Sequence, residues 1–272
     1  MNSIALRNNI TVHGRGEHTI VMAHGFGSDQ TTWRFLREAF EQTHRVVLFD
    51  YVGAGGSDLR AYDRVRYGSL NGYVQDLLEV LDAAQLNRVS FVGHSVSAMI
   101  GAAASIQQPA RFSELVMIAP SPRYLNEAPG YAGGFEREDV RGLLNMMEHN
   151  YAGWASTLAP VAMKNGHRPD LTAEMEAGFC ALDPTIARQF AEVTFLSDSR
   201  ALLPAITTPT LILQCTDDAI APLAVGEYLA RSIAGATLRV MSATGHCPQL
   251  SRPDETIALI RDYLDARHAQ PA

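Results

Sequence analysis

Ser95 lies where a nucleophilic serine is expected. The segment FVGHSVSAMIG passes from an apolar run through a tight turn into a segment of helical character. In a Gly-x-Ser-x-Gly turn of this kind, a strained backbone lifts the serine hydroxyl above a sheet, and small flanking residues let strand and helix pass closely. Gly93 fills the first small position, and Ser97 replaces the second glycine. The pattern predicts a nucleophile; the alternative is a serine that only caps the following helix.

A histidine base and an orienting carboxylate follow later in the chain. A serine hydroxyl is a weak nucleophile at neutral pH, so it needs both, in the order Ser, acid, His that this architecture uses. His246 lies in the loop SATGHCP, just after the last apolar run. Asp217 and Asp218 both follow the run LILQCT, and only one can face His246. The spacing Asp-x-x-x-Pro, which ends at Pro222, selects Asp218 over Asp217.

Two backbone amides are predicted to stabilise the negative charge that acyl transfer places on a carbonyl oxygen. Backbone N–H groups suit this task because they are rigid and do not titrate. Val96 follows the nucleophile directly, and Phe26 lies in HGFGS after the first apolar run. The glycines around Phe26 leave its amide free to turn toward the site. We expect His24 to be a structural residue beneath this loop and not a second base.

No cofactor or metal is expected. The glycine-rich segment at residues 53–58 does not match a dinucleotide-binding turn, because the third glycine of Gly-x-Gly-x-x-Gly falls on Asp58 and no clear helix follows. A tight connection beside the site is the preferred interpretation. The carboxylates Asp217 and Asp218 have no nearby His or Cys at metal-ligand spacing.

Short apolar runs alternate with segments of helical period along most of the chain. Helical period is clearest at residues 73–86 and 253–267. The order predicts an α/β fold with a mostly parallel central sheet flanked by helices. Six runs rich in Val, Ile and Leu are expected to form strands buried on both faces: residues 19–24, 45–51, 88–95, 114–120, 210–215 and 237–242.

The alternation stops between residues 121 and 203. Four helix-like segments replace it, at Arg137–His149, Tyr151–Met163, 169–182 and 184–196. We expect residues 121–203 to form an inserted helical cap on a core made of residues 1–120 and 204–272. The cap helices carry many charges and no broad apolar face. They should therefore enclose a pocket of roughly a few hundred Å³ that excludes long-chain lipids.

Composition limits the classes of partner and compartment. The chain has 272 residues, 22 basic against 29 acidic, and a formal net charge of −7, with no basic cluster that could track phosphates, so nucleic acid is not an expected partner. Cys180, Cys215 and Cys247 are odd in number and widely spaced, which favours a reducing cytoplasm. The N-terminus lacks signal-peptide features, and no apolar run is long enough for a membrane span.

Five motifs together resemble one known family. HGFGSDQTTW, DYVGAGGSDL, GHSVSAMIG, CTDDAIAP and GHCPQLSRPDETI, in this order, are similar to the small α/β-hydrolases that include the bacterial sigma-B stress regulator RsbQ and the plant karrikin and strigolactone receptors. The resemblance covers essentially the whole chain. It implies an α/β-hydrolase fold, a Ser95–His246–Asp218 triad, an oxyanion hole from Phe26 and Val96, and a V-shaped four-helix cap over an apolar pocket.

The resemblance also suggests which aromatic residues line that pocket. By their positions in matching stretches, Phe26, Phe135, Trp154 and Phe195 are the candidates. Core packing is the alternative for each, because aromatic residues on cap helices often only hold the cap in place.

Two classes of function follow. The first is a serine hydrolase that cleaves small apolar esters or lactones through an acyl-serine intermediate. The second is a ligand-sensing, stress-signalling regulator that uses the same pocket and triad to engage a protein partner. A weaker third is perhydrolase or haloperoxidase-like chemistry without a cofactor. The complete triad favours catalysis, although the family that the chain resembles includes both of the first two classes.

Overall fold

A computed structural model describes residues 3–268 and contains a seven-stranded sheet. Along the sheet the strands lie in the order β1-β3-β2-β4-β5-β6-β7. All neighbouring pairs are parallel except β1 and β3, which are antiparallel. The strands are β1 (Thr11–His13), β2 (Thr19–Ala23), β3 (Arg45–Phe49), β4 (Val89–His94), β5 (Phe112–Ile118), β6 (Thr210–Asp217) and β7 (Thr237–Thr244).

Helices connect these strands and cover both faces of the sheet. In chain order they are α1 (Ser3–Arg7), α2 (Arg34–Phe40), α3 (Leu70–Ala83), α4 (Val96–Gln107), α5 (Arg137–His149), α6 (Tyr151–Met163), α7 (Pro169–Cys180), α8 (Pro184–Phe195), α9 (Leu223–Ser232), α10 (Pro248–Ser251) and α11 (Pro253–His268). Short 3₁₀ turns lie at Gln30–Trp33, Leu59–Ala61, Arg66–Gly68, Pro109–Arg111 and Arg200–Ala205.

The strands are apolar at successive positions because the sheet has a hydrophobic core on each face. In β2, Val21 and Ala23 join the cluster packed under α3 and α4. Ile20 and Met22, which alternate with them, join the cluster on the opposite face with residues of α2 and α11. Side chains alternate between the two faces of a strand, so a doubly covered strand has no polar face. This explains the absence of alternation in the sequence.

The predicted architecture is confirmed, with one strand missed. All six predicted runs form strands, although the C-terminal ends of several lie a few residues from the predicted ones. The missed strand, β1, has only three residues, and its Val12 side chain is 48% exposed. Such a short antiparallel edge strand leaves no apolar run to detect. Helix α3 begins at Leu70, where the predicted helix began at residue 73.

Four helices, α5 to α8, lie between β5 and β6, and we call them the insert helices. The bounds of α5 and α6 are those predicted, while α7 ends at Cys180 and α8 at Phe195. The insert helices share their own apolar cluster, which includes Leu144, Trp154 and Phe179. Side chains from outside the insert helices, such as Ile220, belong to the same cluster. The cluster therefore joins the insert helices to the C-terminal edge of the sheet.

The glycine-rich segment after β3 is a loop. Its Gly55 has a φ of 52°, and a Cβ there would lie 2.5 Å from Asp50 Oδ2. The Asp50 carboxylate accepts hydrogen bonds from the Gly56 and Gln30 backbone N–H groups at 2.9 and 2.8 Å. The close approach requires glycine for packing, and one backbone donor of the loop, the Gly56 N–H, is used by a protein carboxylate.

The structure also describes the state of the cysteines and the apolar character of the helices. Within residues 3–268 the three cysteines are free, with Cys180 exposed and Cys215 and Cys247 buried. In the same range, no helix combines the length and the apolar character needed to cross a bilayer.

Candidate active site

The turn at Ser95 joins β4 to α4 and has a strained backbone. Ser95 has φ 57° and ψ −123°, outside the regions that L residues normally occupy. Its N–H donates to the Ile118 carbonyl at 2.8 Å, which anchors the turn to β5. A Cβ on Gly93 would lie 2.7 Å from the Ser97 carbonyl group, so only glycine allows strand and helix to pass this closely. The turn has the form of a nucleophile elbow.

Ser95, His246 and Asp218 form a continuous hydrogen-bond chain. His246 Nε2 lies 2.8 Å from Ser95 Oγ, and His246 Nδ1 lies 2.7 Å from Asp218 Oδ2. A carboxylate only accepts hydrogen bonds, so Nδ1 carries the proton and the serine hydroxyl donates to Nε2. The three residues are 5–6% exposed. This is the arrangement in which an imidazole removes the proton of an attacking hydroxyl.

The two adjacent carboxylates have different environments. Asp218 Oδ1 accepts from the Ile220 and Ala221 N–H groups at 2.8 and 3.1 Å, which turns Oδ2 toward His246. Asp217 is exposed and pairs with Lys164 Nζ at 2.5 Å. The structure therefore places Asp218 against the imidazole and Asp217 at the surface.

The insert helices help to hold the histidine loop. The His246 N–H donates to the Ala162 carbonyl, near the end of α6, at 2.7 Å. The preceding Gly245 has φ 80°, and a Cβ there would lie 2.0 Å from the Met163 carbonyl oxygen. Only glycine tolerates both this conformation and this contact. The glycine before the histidine is therefore explained by its packing against α6.

A second histidine, His94, binds the backbone of His246. Its Nε2–H donates to the His246 carbonyl at 2.8 Å. Burial and the neighbouring His246 lower the pKa of His94 to about 3, so its imidazole is neutral at physiological pH. With the proton on Nε2, Nδ1 is a buried acceptor that has no hydrogen-bond partner among residues 3–268. His94 thus orients the His246 backbone and carries no charge.

Both predicted amide donors lie in segments next to Ser95. Val96 is the first residue of α4, so its N–H has no acceptor inside the helix. The loop containing Phe26 passes against the nucleophile, because a Cβ on Gly25 would lie 3.2 Å from Ser95 Cβ. The structure thus brings together the two segments that were predicted to supply an oxyanion hole.

The cavity above Ser95 is much smaller than expected. Its volume is about 40 Å³, whereas the sequence predicted a few hundred. The Phe26 ring fills the space, with its centroid 5.6–6.3 Å from those of four other aromatic rings. The lining consists of the catalytic candidates and mostly apolar side chains: Phe26, Ser95, Tyr124, Leu158, Ala162, Met175, Phe179, Thr194, Phe195, Ile220 and His246.

Two of the four predicted pocket residues do not line this cavity. Phe26 and Phe195 are in its wall. Trp154 instead packs behind Phe26, with ring centroids 6.1 Å apart, and Phe135 packs behind Phe195 at 5.5 Å. The assignment of Phe135 and Trp154 as pocket residues is therefore corrected. They are the packing residues that the alternative interpretation described.

Sequence reasoning missed Tyr124, which is a second polar neighbour of the nucleophile besides His246. Its hydroxyl lies 3.2 Å from Ser95 Oγ, and since the serine proton points to His246, the phenol donates to the serine oxygen. Burial raises the pKa of Tyr124, which keeps the phenol neutral. The sequence did contain a signal for Tyr124, because it follows β5. The carboxyl ends of parallel strands lie along one edge of the sheet, and ligand-binding sites are usually found at that edge.

A second cleft lies next to the first cavity. It has a volume of about 240 Å³ and also contacts Phe26, Met175 and Phe179. Phe179 and Met175, both on α7, are thus shared by the two walls. Beside this cleft, Arg34 at the start of α2 binds Glu174 of α7 through its two terminal guanidinium nitrogens at 2.7 and 2.8 Å. The side chains of Phe26, Met175 and Phe179 therefore lie between the inner cavity and the outer cleft.

The chain belongs to the alpha/beta hydrolase family, whose model matches residues 20–259. This membership confirms the fold class predicted from the motifs. It is consistent with the strand order, the nucleophile turn and the chain order of the three site residues.

Similar proteins include plant receptors and esterases. The chain is 42% identical over 266 residues to a probable esterase of Oryza sativa subsp. japonica, covering 97% of this chain and 98% of that protein. It is 40% identical over 265 residues to the karrikin insensitive 2 receptor CA of Petunia hybrida, with the same coverage. A hydrolase structure from Oleispira antarctica has a TM-score of 0.95 at 43% identity, covering 97% and 96% of the two chains. The predicted resemblance to the plant receptors is confirmed.

The environments of the two carboxylates predict unequal effects of neutralising them. Asp218→Asn should lower kcat for ester hydrolysis by about 10⁴-fold, because an amide at that position favours the wrong imidazole tautomer. Asp217→Asn loses only a surface ion pair and should change kcat by less than about threefold. Steady-state kinetics on both purified variants compares them directly. An equal or reversed pair of effects would contradict the assignment of Asp218.

The strained backbone at Ser95 predicts that a glycine at this position gives a more stable protein than an alanine. Ser95→Ala keeps the Cβ that strains the turn at φ 57°, whereas Ser95→Gly relieves it. The free energy of unfolding of the glycine variant should exceed that of the alanine variant by about 1 kcal/mol, with neither variant active. Urea denaturation of the two proteins measures the difference. A less stable glycine variant would show that the turn stores no such strain.

Proposed function

We propose that this protein is a serine hydrolase that cleaves small apolar esters or lactones through an acyl intermediate on Ser95. The observation that carries the proposal is the hydrogen-bond chain from Ser95 through His246 to Asp218, closed under the insert helices. Membership of the alpha/beta hydrolase family supports hydrolysis as the class of reaction. The name of the rice relative, a probable esterase, supports esters as the substrate class.

In the first half of the proposed reaction, Ser95 Oγ attacks the substrate carbonyl carbon while its proton passes to His246 Nε2. The new C–O bond forms as the carbonyl π electrons move to the oxygen, which accepts hydrogen bonds from the Phe26 and Val96 N–H groups. Asp218 stabilises the imidazolium formed at this point. The tetrahedral adduct then expels the alcohol, which receives the proton from His246.

The second half repeats these steps with water as the nucleophile. His246, neutral again, removes a proton from water as the water oxygen attacks the acyl carbon. Collapse of the second adduct breaks the acyl–serine bond and returns the proton to Ser95. The carboxylic acid leaves, and the three side chains have regained their initial protonation states.

The cavity supports a preference for small acyl groups. Its volume is only about 40 Å³, and its wall is formed mostly by packed apolar side chains. A short acyl group therefore requires only modest side-chain movement, and a long chain requires displacement of packed aromatic rings. We propose that residues 121–203, which contain the insert helices, act as the cap that imposes this limit on a core of residues 1–120 and 204–272.

A ligand-sensing role is the alternative proposal. The observation that favours it is the similarity over nearly the whole chain to a protein named as a karrikin insensitive receptor. In this role the same site would bind a small ester or lactone, and the insert helices would change their position to engage a signalling protein. We propose the cytoplasm as the compartment, on the three free cysteines. Multiple rapid turnovers on small esters would favour metabolic hydrolysis over sensing.

Removal of the nucleophile tests the catalytic proposal directly. Ser95→Ala should lower kcat for p-nitrophenyl acetate by about 10⁶-fold while the protein stays folded, because it deletes the attacking oxygen and little else. Ser105→Ala is the matched control, since Ser105 is equally buried in α4 but only donates to the Ala102 carbonyl. Folded Ser95→Ala protein with wild-type turnover would disprove the acyl-serine mechanism.

Side chains that line both the inner cavity and the outer cleft are expected to limit the length of the acyl chain. Removing one of them should therefore change the acyl-chain preference. Among p-nitrophenyl esters, kcat/KM of the wild type should be highest for acetate and fall by at least about tenfold by octanoate. Phe179→Ala removes one of the two aromatic side chains, Phe26 being the other, that line both the inner cavity and the outer cleft, so it should move the maximum to longer chains.

Phe112→Ala is the control for this experiment. Phe112 is buried and packs against Phe91, and it lines neither cavity. Truncating it should lower stability by about 3–5 kcal/mol, as loss of a buried aromatic ring does, without changing the order of preference among esters. A palmitate maximum in the wild type, or the same chain-length profile in Phe179→Ala, would contradict the proposed limit on acyl-chain length.

A further inference from the structure

His24 lies directly beneath the loop that contains Phe26, and both of its ring nitrogens are used. Nδ1 is 2.9 Å from the Gly25 carbonyl oxygen, and Nε2 is 3.3 Å from the Tyr51 backbone nitrogen. A carbonyl can only accept and a backbone N–H can only donate, so Nδ1 carries the proton and Nε2 is the acceptor. The ring is fully buried. It has no free nitrogen for proton transfer, which argues against a second base.

The Gly25 carbonyl and the Phe26 N–H belong to the same peptide unit. Among residues 3–268 the only cis peptide bond is Ala128–Pro129, so this unit is trans. In a trans peptide the C=O and N–H bonds point in opposite directions. The bond from His24 Nδ1–H therefore sets the direction of the Phe26 N–H as well. Ser95 lies against the same unit, as shown by the 3.2 Å that would separate its Cβ from one on Gly25.

The backbone of His24 is anchored from the opposite side by Ser97. The Ser97 hydroxyl donates to the His24 carbonyl at 2.5 Å and lies 3.1 Å from the Tyr51 hydroxyl. Ser97 is the residue that replaces the second glycine of the Gly-x-Ser-x-Gly pattern. A glycine there would leave the His24 carbonyl without this donor. The hydroxyl thus ties the start of the loop to the helix that follows the nucleophile.

We infer that His24 and Ser97 are positioning residues that aim the Phe26 N–H at the oxyanion. The inference rests on the proposed function. Ser97 holds the His24 backbone, the His24 ring holds the Gly25 carbonyl, and the peptide plane then presents the Phe26 N–H toward the oxygen that gains charge. An oxyanion donor stabilises the transition state only when it is already oriented. A rotation of this peptide plane should therefore weaken binding of the transition state more than binding of the substrate.

Two substitutions at His24 separate this role from a structural one. The amide nitrogen of asparagine occupies nearly the same place as Nδ1, so His24→Asn keeps the donor to the Gly25 carbonyl and loses the acceptor for Tyr51. The oxygen of glutamine reaches the position of Nε2, so His24→Gln keeps that acceptor and loses the Nδ1 donor. Each variant loses one buried hydrogen bond and similar ring packing, so both should lose comparable stability.

The expected result is a difference in kcat between the two variants. Using p-nitrophenyl acetate, we expect His24→Gln to lower kcat by at least about tenfold with KM changed by less than about threefold. His24→Asn should retain kcat within about threefold of the wild type. Circular dichroism and thermal unfolding show that both variants are folded. Equal values of kcat in the two variants, or a loss confined to KM, would overturn the inference.

Ser97→Ala provides a test that leaves His24 in place. It removes the donor to the His24 carbonyl but keeps a small residue that suits the helix, and kcat should fall by about three- to tenfold with KM unchanged. Ser105→Ala in the same helix should leave kcat unchanged. If neither His24 variant folds, this pair decides the question. Equal kcat for Ser97→Ala and Ser105→Ala would then overturn the positioning role.

The same assays distinguish failure of this inference from failure of the proposed function. Turnover that persists in Ser95→Ala would remove the acyl-serine mechanism and this inference with it. Turnover that requires Ser95 but is unaffected in His24→Gln and Ser97→Ala would leave the hydrolase proposal standing and reject only the positioning role.

Discussion

The constraint on which the site depends is the close passage of three backbone segments around Ser95. The serine has a left-handed φ of 57°, and β4, α4 and the loop after β2 all contact its turn. A Cβ on Gly25 would lie 2.7 Å from His94 Nδ1, and one on Gly93 would lie 2.7 Å from the backbone of Ser97. Glycine is required at both positions, because the cost of the strained turn is met by packing that a larger residue would prevent.

Hydrogen bonds between the polar groups around this turn also fix the positions of His246 and Asp218. His94 donates to the His246 backbone, and Asp218 is oriented by two backbone N–H groups. These bonds satisfy buried groups whose desolvation would otherwise destabilise the fold by about 1–3 kcal/mol each. They also restrict the imidazole to one orientation. Stability and catalytic geometry therefore depend on the same contacts, and a substitution that loosens one is expected to change the other.

The sequence was sufficient for the elements with strong local signals. Apolar runs such as that at β4 predicted the buried strands, and the order of Ser95, Asp218 and His246 predicted the group that the structure brings together. Strand β1 was missed because three half-exposed residues carry no pattern. Tyr124 was missed, and Phe135 and Trp154 were placed in the pocket wall, for a different reason. Whether an aromatic side chain faces a cavity or packs behind one depends on helix orientations that residue spacing does not encode.

For the proposed hydrolase, the contact between α6 and the histidine loop bears on how substrate would reach the site. The His246 N–H is bound to the Ala162 carbonyl, and Gly245 packs against the end of the same helix. Moving α6 away as a rigid body would break this bond and leave the loop held by His94 and by the bond from the Gly245 N–H to the Asp217 carbonyl. Rotation of Met175 and Phe179 on α7, which line both the inner cavity and the outer cleft, disturbs no hydrogen bond among Ser95, His246 and Asp218. Entry by movement of these side chains thus leaves the hydrogen bonds of the site in place, whereas detachment of α6 removes one that holds the histidine loop.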